Sequence, residues 1–356
     1  MGLATLSPQS LRTRAVLRMH QAYLTTDLPA PLEAPLSALE GALYGRDLDA
    51  VPIDRPIFVV GCHRSGTTVL YEALAAHPDV ACFTNASNLL PQVPMLSNAI
   101  CRLLGLDTVR QERFLQDDIS FTPTTPSEGI RIFERFAPAG GAADYVLDET
   151  HADPALERYL RATIRKHLRY FRARRFLNKN PDNSVRLRYL NRLFPDARFL
   201  HIVRDGRAVC ASLLKARELA QRFFGSQHRH ATSGTKVKDW DEISRIWDED
   251  PVAGAGHLWR EVVATVKRDG AAIGPARFME VRYEDFVARP EAELRSLARF
   301  CQLGQNAAAD ARLAAAASTI ALGGRNDAWQ RRFSAAERAR LLDTIGPTMR
   351  ACGYDV

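Results

Sequence analysis

In the first half of the chain, short apolar runs typical of buried strands alternate with segments whose apolar residues recur at helical spacing. The uncharged run from Ile57 to Val60 is β-branched and aromatic, which predicts a buried strand that stops at Gly61. From Thr67 to Ala76 the apolar side chains recur at helical spacing and predict a helix. The segment from Val80 to Phe83 then predicts a second strand.

The same alternation continues in the second half of the chain, where residues 155–171 are amphipathic and predict a helix. The further predicted elements are a strand at Phe176-Leu177, a helix carrying Val185 to Leu193, a strand from Arg198 to Val203, a helix to about Glu218, a helix near Leu258 to Lys267 and a strand from Arg277 to Val281. Because strands and helices alternate at this spacing, the sequence predicts an α/β fold with a P-loop-type, mainly parallel sheet flanked by helices.

The chain divides into two parts by pattern. Residues 1–54 are helical in pattern and then rich in proline (Pro29, Pro31 and Pro35), which predicts an N-terminal helical arm. Residues 55–356 are predicted to form a single domain with a helical C-terminal part. Within that domain the polar segment from Phe224 to Asp239 predicts a mobile loop.

Composition narrows the class of protein. The 356 residues carry 48 Lys and Arg against 41 Asp and Glu, a formal charge of +7, and 46% are hydrophobic. Such a composition excludes a disordered or coiled-coil chain. No secretory leader pattern or sufficiently long apolar run is visible, so we predict a cytoplasmic protein without a transmembrane segment. The 6 cysteines are scattered without zinc-ligand spacing, and no metal site is predicted.

The first candidate site is a phosphate loop, Gly61-Cys62-His63-Arg64-Ser65-Gly66-Thr67-Thr68. It follows a predicted strand, precedes a predicted helix and has the glycine spacing of loops whose backbone N–H groups surround an anion. The position that holds lysine in ATP and GTP loops is Thr67, and the cation is Arg64. The loop therefore predicts binding of a phosphate-like group without the lysine that serves a nucleoside triphosphate.

The second candidate site follows the strand predicted from Arg198 to Val203. Arg204 comes directly after this strand, and Ser212 lies in the helix that follows. Ligands of open α/β sheets bind at the carboxyl ends of the strands, so one arginine and one hydroxyl here suit a second phosphate. A cap and ion pair formed by Arg204 and Asp205 is the alternative interpretation of this motif.

These two motifs, in this order, resemble the family of sulfotransferases that use 3'-phosphoadenosine 5'-phosphosulfate (PAPS) and release 3'-phosphoadenosine 5'-phosphate (PAP). The likeness covers residues 55–356 and is nearest to tyrosylprotein sulfotransferases and bacterial sulfotransferases. It is carried by Arg-Ser-Gly-Thr-Thr at 64–68, Asn-Lys-Asn-Pro at 178–181, Val-Arg-Asp-Gly-Arg at 203–207, Tyr-Glu-Asp at 283–285 and Gly-Tyr-Asp at 353–355.

The resemblance implies a role for each matching residue. Arg64 would contact the 5'-phosphate or sulfuryl oxygens, and the amides and hydroxyls of Ser65, Gly66, Thr67 and Thr68 would complete the cradle. Arg204 and Ser212 would hold the 3'-phosphate, although the family's further arginine one turn later is replaced by Ala216. The remaining implied roles are Lys179 at the bridging oxygen, Tyr283 near the adenine and Arg325 in a loop that closes over the nucleotide.

A hydroxyl acceptor requires a general base. The glutamate that the tyrosylprotein enzymes carry after the second strand is absent here, where the sequence reads Cys82-Phe83-Thr84-Asn85. Glu128 is the better candidate, because Ser127-Glu128 resembles an element of bacterial sulfotransferases; the alternative is that Ser127 or Thr125 caps a helix with an acidic first turn. Further candidate bases are His63, His77, Glu149 and His151.

The sequence thus predicts sulfuryl transfer from PAPS to a hydroxyl or amine by in-line displacement, with Glu128, Lys179 and Arg64 as catalytic residues. The acceptor is left open among small molecules, lipids, sugars and peptides, as is the oligomeric state. One alternative is a P-loop nucleotide kinase with Asp205 on magnesium. The other is a nucleic-acid-binding module, which is disfavoured because many arginines lie on predicted amphipathic helices.

Overall fold

The computed structural model of the protein describes residues 28–112, 120–135, 146–224, 235–320 and 326–356. Three sequence predictions lie wholly or partly outside these ranges: residues 1–27 of the N-terminal helical arm, residues 225–234 of the mobile loop, and Arg325. The helices are α1 (Ala30–Tyr44), α2 (Thr67–Ala75), α3 (Asn85–Leu89), α4 (Pro94–Leu103), α5 (Ile130–Glu134), α6 (Pro154–Phe171), α7 (Leu187–Leu193), α8 (Gly206–Phe224), α9 (Trp240–Glu249), α10 (Pro251–Ile273), α11 (Tyr283–Ala288), α12 (Pro290–Phe300), α13 (Ala307–Ser318), α14 (Ala328–Arg332) and α15 (Ala335–Ala351). The strands are β1 (Ile57–Val60), β2 (Val80–Ala81), β3 (Gln111–Glu112), β4 (Ser120–Phe121), β5 (Arg175–Lys179), β6 (Arg198–Val203) and β7 (Phe278–Arg282). Short 3₁₀ turns occur at Leu48–Ala50, Leu106–Thr108 and Pro181–Val185.

The core of the fold is a five-stranded sheet in the order β2-β5-β1-β6-β7. Strand β1 pairs in parallel with β5 on one side and with β6 on the other, and β6 pairs in parallel with β7. Every residue of β1 is at most 1% exposed, as expected for a central strand covered on both faces. The predicted P-loop-type parallel sheet is confirmed, and its switch point places the carboxyl ends of β1, β5 and β6 side by side.

Three predicted strands have different bounds from those expected. The strand predicted from Arg277 to Val281 is shifted by one residue, to Phe278–Arg282. The strand predicted at Phe176-Leu177 extends to Lys179, because Asn178 is buried in it with its amide oxygen accepting from Asn183 Nδ2 at 3.1 Å. The strand predicted to reach Phe83 ends at Ala81. The chain leaves the sheet there because the Phe83 carbonyl accepts instead from Ser127 N at 2.8 Å.

One compact unit contains residues 28–53, 81–112, 120–135 and 154–176 of the described chain. The first helix lies within the proline-rich part of this segment, since α1 contains both Pro31 and Pro35. Pro31 lies in the first turn, where no backbone N–H is needed, and the helix continues past Pro35 with one hydrogen bond fewer. The buried carboxylate of Glu40 accepts from Met95 N at 3.2 Å, which joins α1 to the beginning of α4. Whether residues 1–54 form a separate arm stays a prediction.

The second compact unit contains the described residues of 54–80, 146–153 and 177–356. Its longest helix, α10, runs beyond the bounds expected from the sequence. The carboxylate of Asp250, the residue before the helix, caps it by accepting from Val252 N at 3.0 Å. Gly206 and Gly256 let α8, α10 and α15 pack closely, because a Cβ at Gly206 would lie 3.0 Å from Ile345 and one at Gly256 2.9 Å from Leu341. None of the helices in the described ranges combines the length and the apolarity that a bilayer crossing requires.

Candidate active site

Two glycines give the phosphate loop its shape. Gly61 has φ +147° and Gly66 has φ +92°, conformations that side-chain-bearing residues rarely adopt. Space excludes a side chain as well, since a Cβ at Gly61 would lie 2.4 Å from the Ile202 carbonyl oxygen and one at Gly66 would lie 2.3 Å from the Tyr283 ring. The loop therefore passes close to β6 and to Tyr283 before it enters α2.

The interior of the loop fits an anion. Ser65 is 1% exposed, and among the described residues its Oγ has no hydrogen-bond partner. Gly66 caps α2 without any side-chain hydrogen bond, so the first backbone N–H groups of the helix are not capped by a side chain there. The loop is held from behind by Ser184, whose Oγ accepts from Gly61 N at 2.9 Å. A buried hydroxyl without a partner beside a helix N-terminus is chemistry that suits a phosphate or sulfate oxygen.

The two motifs found in the sequence meet in space. Arg64 Nε donates to Ser212 Oγ at 3.1 Å, and Arg204 Nη1 donates to the Arg64 carbonyl oxygen at 3.3 Å. Arg64 itself has φ +70°, so the backbone of the loop turns sharply at this residue. Two arginines and a hydroxyl from the carboxyl ends of β1 and β6 are thereby gathered in one place.

Tyr283 lies beside the same group. It is the first residue of α11, directly after β7, and the Arg204 guanidinium carbon is 4.3 Å from the centroid of its ring. The ring also covers Gly66, as the distance above shows. A cation stacked on an aromatic face is held in orientation by the ring quadrupole, so Tyr283 restrains Arg204 and the loop at once.

Lys179 is a buried lysine and not a solvated surface side chain. It is the last residue of β5, it is 2% exposed, and its Nζ donates to Thr68 Oγ1 at 3.0 Å. Since β5 and β1 are neighbours, the lysine reaches the C-terminal end of the phosphate loop. A buried ammonium beside an anion-binding loop is a strong electrostatic donor because little water screens it.

Asp205 is engaged by its own helix. Its Oδ2 pairs with Arg207 Nη2 at 2.7 Å, and its Oδ1 accepts from Arg207 N at 2.8 Å. This is the cap and ion pair considered for the motif, but the pair is Asp205 with Arg207 and not with Arg204. Near Ala216, Arg217 donates to the Trp247 carbonyl oxygen at 2.6 Å and therefore does not replace the family's missing arginine.

A carboxylate that the sequence interpretation gave no role lies behind Arg204. Glu284 accepts from Asn326 Nδ2 at 2.6 Å, from Asp205 N at 3.2 Å and from Tyr354 OH at 2.6 Å. Burial and then the Glu284 charge raise the pKa of Tyr354, so the phenol keeps its proton and donates. The signal for this cluster was present in the Tyr-Glu-Asp and Gly-Tyr-Asp motifs, but the motifs do not say that their side chains meet.

The candidate bases in the second compact unit differ in the groups that they contact. His77 is committed to structure, because its Nδ1 accepts from Asp79 N at 3.1 Å and its Nε2 faces the Gly304 carbonyl oxygen at 2.9 Å. Glu149 pairs with Arg188, and the His151 ring packs edge-on against Tyr189 at a centroid distance of 5.5 Å. His63 Nε2 is 3.8 Å from Asp182 Oδ1, which also accepts from Thr235 Oγ1 at 3.1 Å.

Glu128 lies in the other compact unit, partly exposed, two residues before α5. The helix cap considered for this segment is wrong. Helix α5 begins at Gly129 in a left-handed conformation without a side-chain cap, and Thr125 Oγ1 instead accepts from Thr122 N at 3.0 Å. Glu128 is thus not part of a capped acidic first turn, and its role as base stays a prediction.

One cysteine, Cys62, lies within the phosphate loop. All 6 cysteines are buried and free, and burial raises the pKa of Cys62 in the phosphate loop to about 12. Across the described ranges, no three His, Cys, Asp or Glu side chains come together as a metal site.

Comparison with known proteins agrees with this geometry. The model of the sulfotransferase family matches residues 56–306. The chain is 29% identical over 304 residues to omega-hydroxy-beta-dihydromenaquinone-9 sulfotransferase Stf3 of Mycobacterium bovis, covering 81% of this chain and 73% of that protein. It is 26% identical over 244 residues to protein-tyrosine sulfotransferase 2 of Gallus gallus, covering 68% of this chain and 50% of that protein.

A solved structure supports the fold. The crystal structure of sulfotransferase STF9 from Mycobacterium avium superposes with a TM-score of 0.59 at 19% identity, over 90% of this chain and 81% of that one. The family match leaves the kinase and nucleic-acid alternatives without support. The chain belongs to the sulfotransferase family, and PAPS is its sulfuryl donor.

Proposed function

We propose that the enzyme transfers the sulfuryl group of PAPS to a hydroxyl acceptor by in-line displacement, with the donor held between the phosphate loop and Arg204. The observation that carries this proposal is the Arg64–Ser212 hydrogen bond of 3.1 Å. It joins the loop that suits a 5'-phosphosulfate to the helix that suits a 3'-phosphate. A donor charged at both ends of its ribose needs both groups within one site.

The residues that would hold the donor fall into two sets. The Ser65 hydroxyl and the backbone N–H groups from Gly66 to Thr68 would receive the 5' end, with Arg64 beside them. Arg204 and Ser212 would receive the 3'-phosphate, and the Tyr283 ring would flank the nucleoside. The Arg64–Ser212 bond would then be exchanged for bonds to the anion, because a charged acceptor binds an arginine more strongly than a hydroxyl does.

Lys179 would act on the leaving group. Transfer breaks the bond between sulfur and the bridging oxygen, and negative charge develops on the departing 5'-phosphate. The buried ammonium of Lys179 beside Thr68 supports a role in stabilising that charge, which grows only in the transition state. Such a donor raises kcat more than it tightens binding.

A hydroxyl is the acceptor best supported by the relatives. One of them is named for an omega-hydroxy menaquinone and the others for protein tyrosine, and both names denote a hydroxyl. In the proposed reaction the acceptor oxygen forms the new bond to sulfur, and its proton passes to a base. Glu128 is the proposed base, since it is a carboxylate in the segment that resembles the bacterial element.

Isothermal titration calorimetry with PAP and 5'-AMP tests the donor part of the proposal. We expect PAP to bind about 10- to 100-fold more tightly than 5'-AMP, since a charged hydrogen bond contributes about 1.5 to 3 kcal/mol. In Ser212→Ala and Arg204→Ala this preference shrinks, whereas Lys215→Ala, an exposed residue of the same helix, keeps it. Equal affinity of the wild type for the two nucleotides contradicts the proposal.

The acceptor part needs a turnover assay. Labelled PAPS is offered with a tyrosine peptide, a long-chain primary alcohol, and an amine of matching length. Label on the alcohol or the phenol but not on the amine supports a hydroxyl acceptor. Label transferred to the amine alone contradicts it while leaving the donor site intact.

A further inference from the structure

Exposed apolar side chains are concentrated on two helices of the unit that contains α1 and α4. Among the described residues, seven large apolar side chains are exposed, and six of them belong to these helices or directly follow them. They are Leu32 (49% exposed), Leu39 (46%), Leu43 (59%), Ile100 (50%), Leu103 (86%) and Leu104 (51%). The seventh is Val356 at 46%, at the other end of the chain. Single exposed leucines are ordinary, but a concentration of this kind marks an interaction surface.

The leucines of α1 share one face. Leu32, Leu39 and Leu43 are spaced by seven and four residues, so at about 100° per residue they fall within about 40° of one another. Glu40 lies about 60 to 100° away from these leucines around the helix, is 1% exposed and is bound to Lys166 Nζ at 3.0 Å. Helix α1 is thus anchored by a polar side chain and presents its apolar stripe outward.

The C-terminal ends of three helices meet where the exposed side chains are densest. The rings of Tyr44 at the end of α1 and Tyr170 near the end of α6 are 5.9 Å apart. Arg102 near the end of α4 lies over the Tyr170 ring at 5.2 Å. Arg169 Nη2 donates to the Asp47 carbonyl oxygen at 2.8 Å. Leu43 directly precedes Tyr44, and Leu103 and Leu104 directly follow Arg102, so these exposed leucines are adjacent in the chain to the residues that meet. We call these leucines, with Leu39 and Ile100, the apolar patch.

The rim of the apolar patch is cationic. Its four exposed arginines are Arg46, Arg102, Arg169 and Arg172. Among the described residues of the segments that carry these arginines, the acidic ones beside them are Asp47, Asp49 and Asp107, and Asp49 is paired with Arg165. The rim therefore keeps a net positive charge and includes two tyrosines. Exposed leucines between tyrosines and arginines form the composition that lies at the boundary between lipid headgroups and acyl chains.

We propose that the apolar patch docks the protein peripherally on an anionic lipid surface. Lipid headgroups would neutralise the arginine rim while Leu43, Leu103 and Leu104 enter the apolar boundary. A second copy of the chain is a poorer occupant, because a two-fold interface would place the same arginine rim of both copies together. The proposal does not depend on the sulfuryl acceptor, since docking needs no substrate.

Sedimentation of the full chain with sucrose-loaded vesicles tests the proposal. We expect binding to vesicles of 70% phosphatidylcholine and 30% phosphatidylglycerol, little binding to pure phosphatidylcholine, and loss of binding as salt is raised. The variant Leu103→Ser/Leu104→Ser should lower the bound fraction at least fivefold on the mixed vesicles. Val356→Ser is the matched control, because Val356 is an exposed apolar residue outside the patch. Thermal unfolding checks that both variants are folded.

Three results would overturn the proposal. The first is absence of vesicle binding by the wild type. The second is vesicle binding that the double serine variant retains in full, since another surface would then be responsible. The third is a dimer in analytical ultracentrifugation that the double serine variant converts to a monomer, which would assign the apolar patch to a second copy of the chain.

Discussion

The Glu284 carboxylate accepts from Asn326 Nδ2 at 2.6 Å, and this bond determines which way the asparagine amide faces. A carboxylate only accepts, so the amide nitrogen turns toward it and the amide oxygen is left for Arg204 Nε, which donates to it at 2.8 Å. The Tyr283 ring thus stacks against the Arg204 guanidinium, and the Asn326 amide oxygen accepts from its Nε. Through Asn326, the Glu284 carboxylate orients the arginine proposed to bind the 3'-phosphate.

Removing the asparagine should weaken PAP binding through Arg204. In Asn326→Ala we expect the Kd for PAP to rise about 2- to 12-fold, the equivalent of one hydrogen bond of about 0.5 to 1.5 kcal/mol. Calorimetry on the double variant Arg204→Ala/Asn326→Ala should give a Kd no weaker than Arg204→Ala alone, because Asn326 acts through the arginine. If the losses of PAP affinity in the two single variants add up in the double variant, Asn326 acts independently of Arg204. Asp327→Ala, at an exposed neighbouring residue, is the control.

Lys179 should affect turnover more than donor binding. In Lys179→Ala we expect kcat to fall about 10²- to 10³-fold, the loss typical of one preorganised donor to a developing charge. The Kd for PAP in the same variant should change by less than about tenfold. Steady-state kinetics with any accepted hydroxyl measures the first quantity and calorimetry the second. An unchanged kcat removes Lys179 from the catalytic set.

Glu128→Gln tests the proposed general base. We expect kcat to fall about 10²- to 10⁴-fold, since proton removal by a positioned carboxylate contributes about this much. PAP binding should be unaffected, because Glu128 is not among the residues proposed to hold the donor. Glu134→Gln, an exposed glutamate at the end of α5, is the matched control. If both variants turn over at the wild-type rate, the base must be sought elsewhere, with His63 as the next candidate.

Gly66→Ala should damage the phosphate loop in two ways. A methyl group at φ +92° is strained, at a cost of about 1 to 3 kcal/mol, and it would lie 2.3 Å from the Tyr283 ring. We expect a lower Tm and at least a tenfold loss of PAP affinity. Gly41→Ala in α1 is the control, because nothing lies within 4 Å of its added Cβ, and it should leave the stability equal or slightly higher. Wild-type affinity in Gly66→Ala would contradict the described loop conformation.

His167 should make the protein sensitive to acid. Burial lowers its pKa from 6.5 to about 4, and its Nδ1 donates to the Thr163 carbonyl oxygen at 2.7 Å. Between these two pKa values the unfolded chain binds a proton that the folded chain does not, so the free energy of unfolding falls as the pH drops from about 6.5 toward 4. Urea unfolding at pH 7, 5.5 and 4.5 measures this slope.

The His167→Phe variant should show a shallower slope over the same pH range. Leu168→Ala, at a residue 2% exposed beside it, should destabilise the protein at every pH without changing the slope. A slope that is the same in His167→Phe and the wild type would assign the acid sensitivity to other groups.

Local pattern was sufficient to predict β1 and β6 with the bounds that the structure has. Strand β1 is an uninterrupted apolar run closed by Gly61, and β6 is a mainly apolar run, with His201 inside it, closed by Arg204. Short runs of this kind between turn or charged residues are typical of buried strands. The phosphate loop was equally predictable, because the φ angles and close contacts of Gly61 and Gly66 admit only glycine. A helical N-terminal segment was predicted, but the path of α1 through two prolines was not, and its anchoring through Glu40 depends on a partner more than fifty residues away.

The sequence alone predicted the parallel α/β sheet and a phosphate loop that lacks the lysine of ATP and GTP loops. It also predicted that this loop and Arg204 belong to two separate phosphate-binding motifs. These follow from spacing and residue type, which are local properties of the chain. Only the tertiary structure decided that Arg64 reaches Ser212, that Lys179 is buried against Thr68, and that Glu284, Asn326 and Tyr354 stand behind Arg204. Those contacts join residues separated by 42 to 148 positions, and no local pattern encodes which distant side chain completes a hydrogen bond.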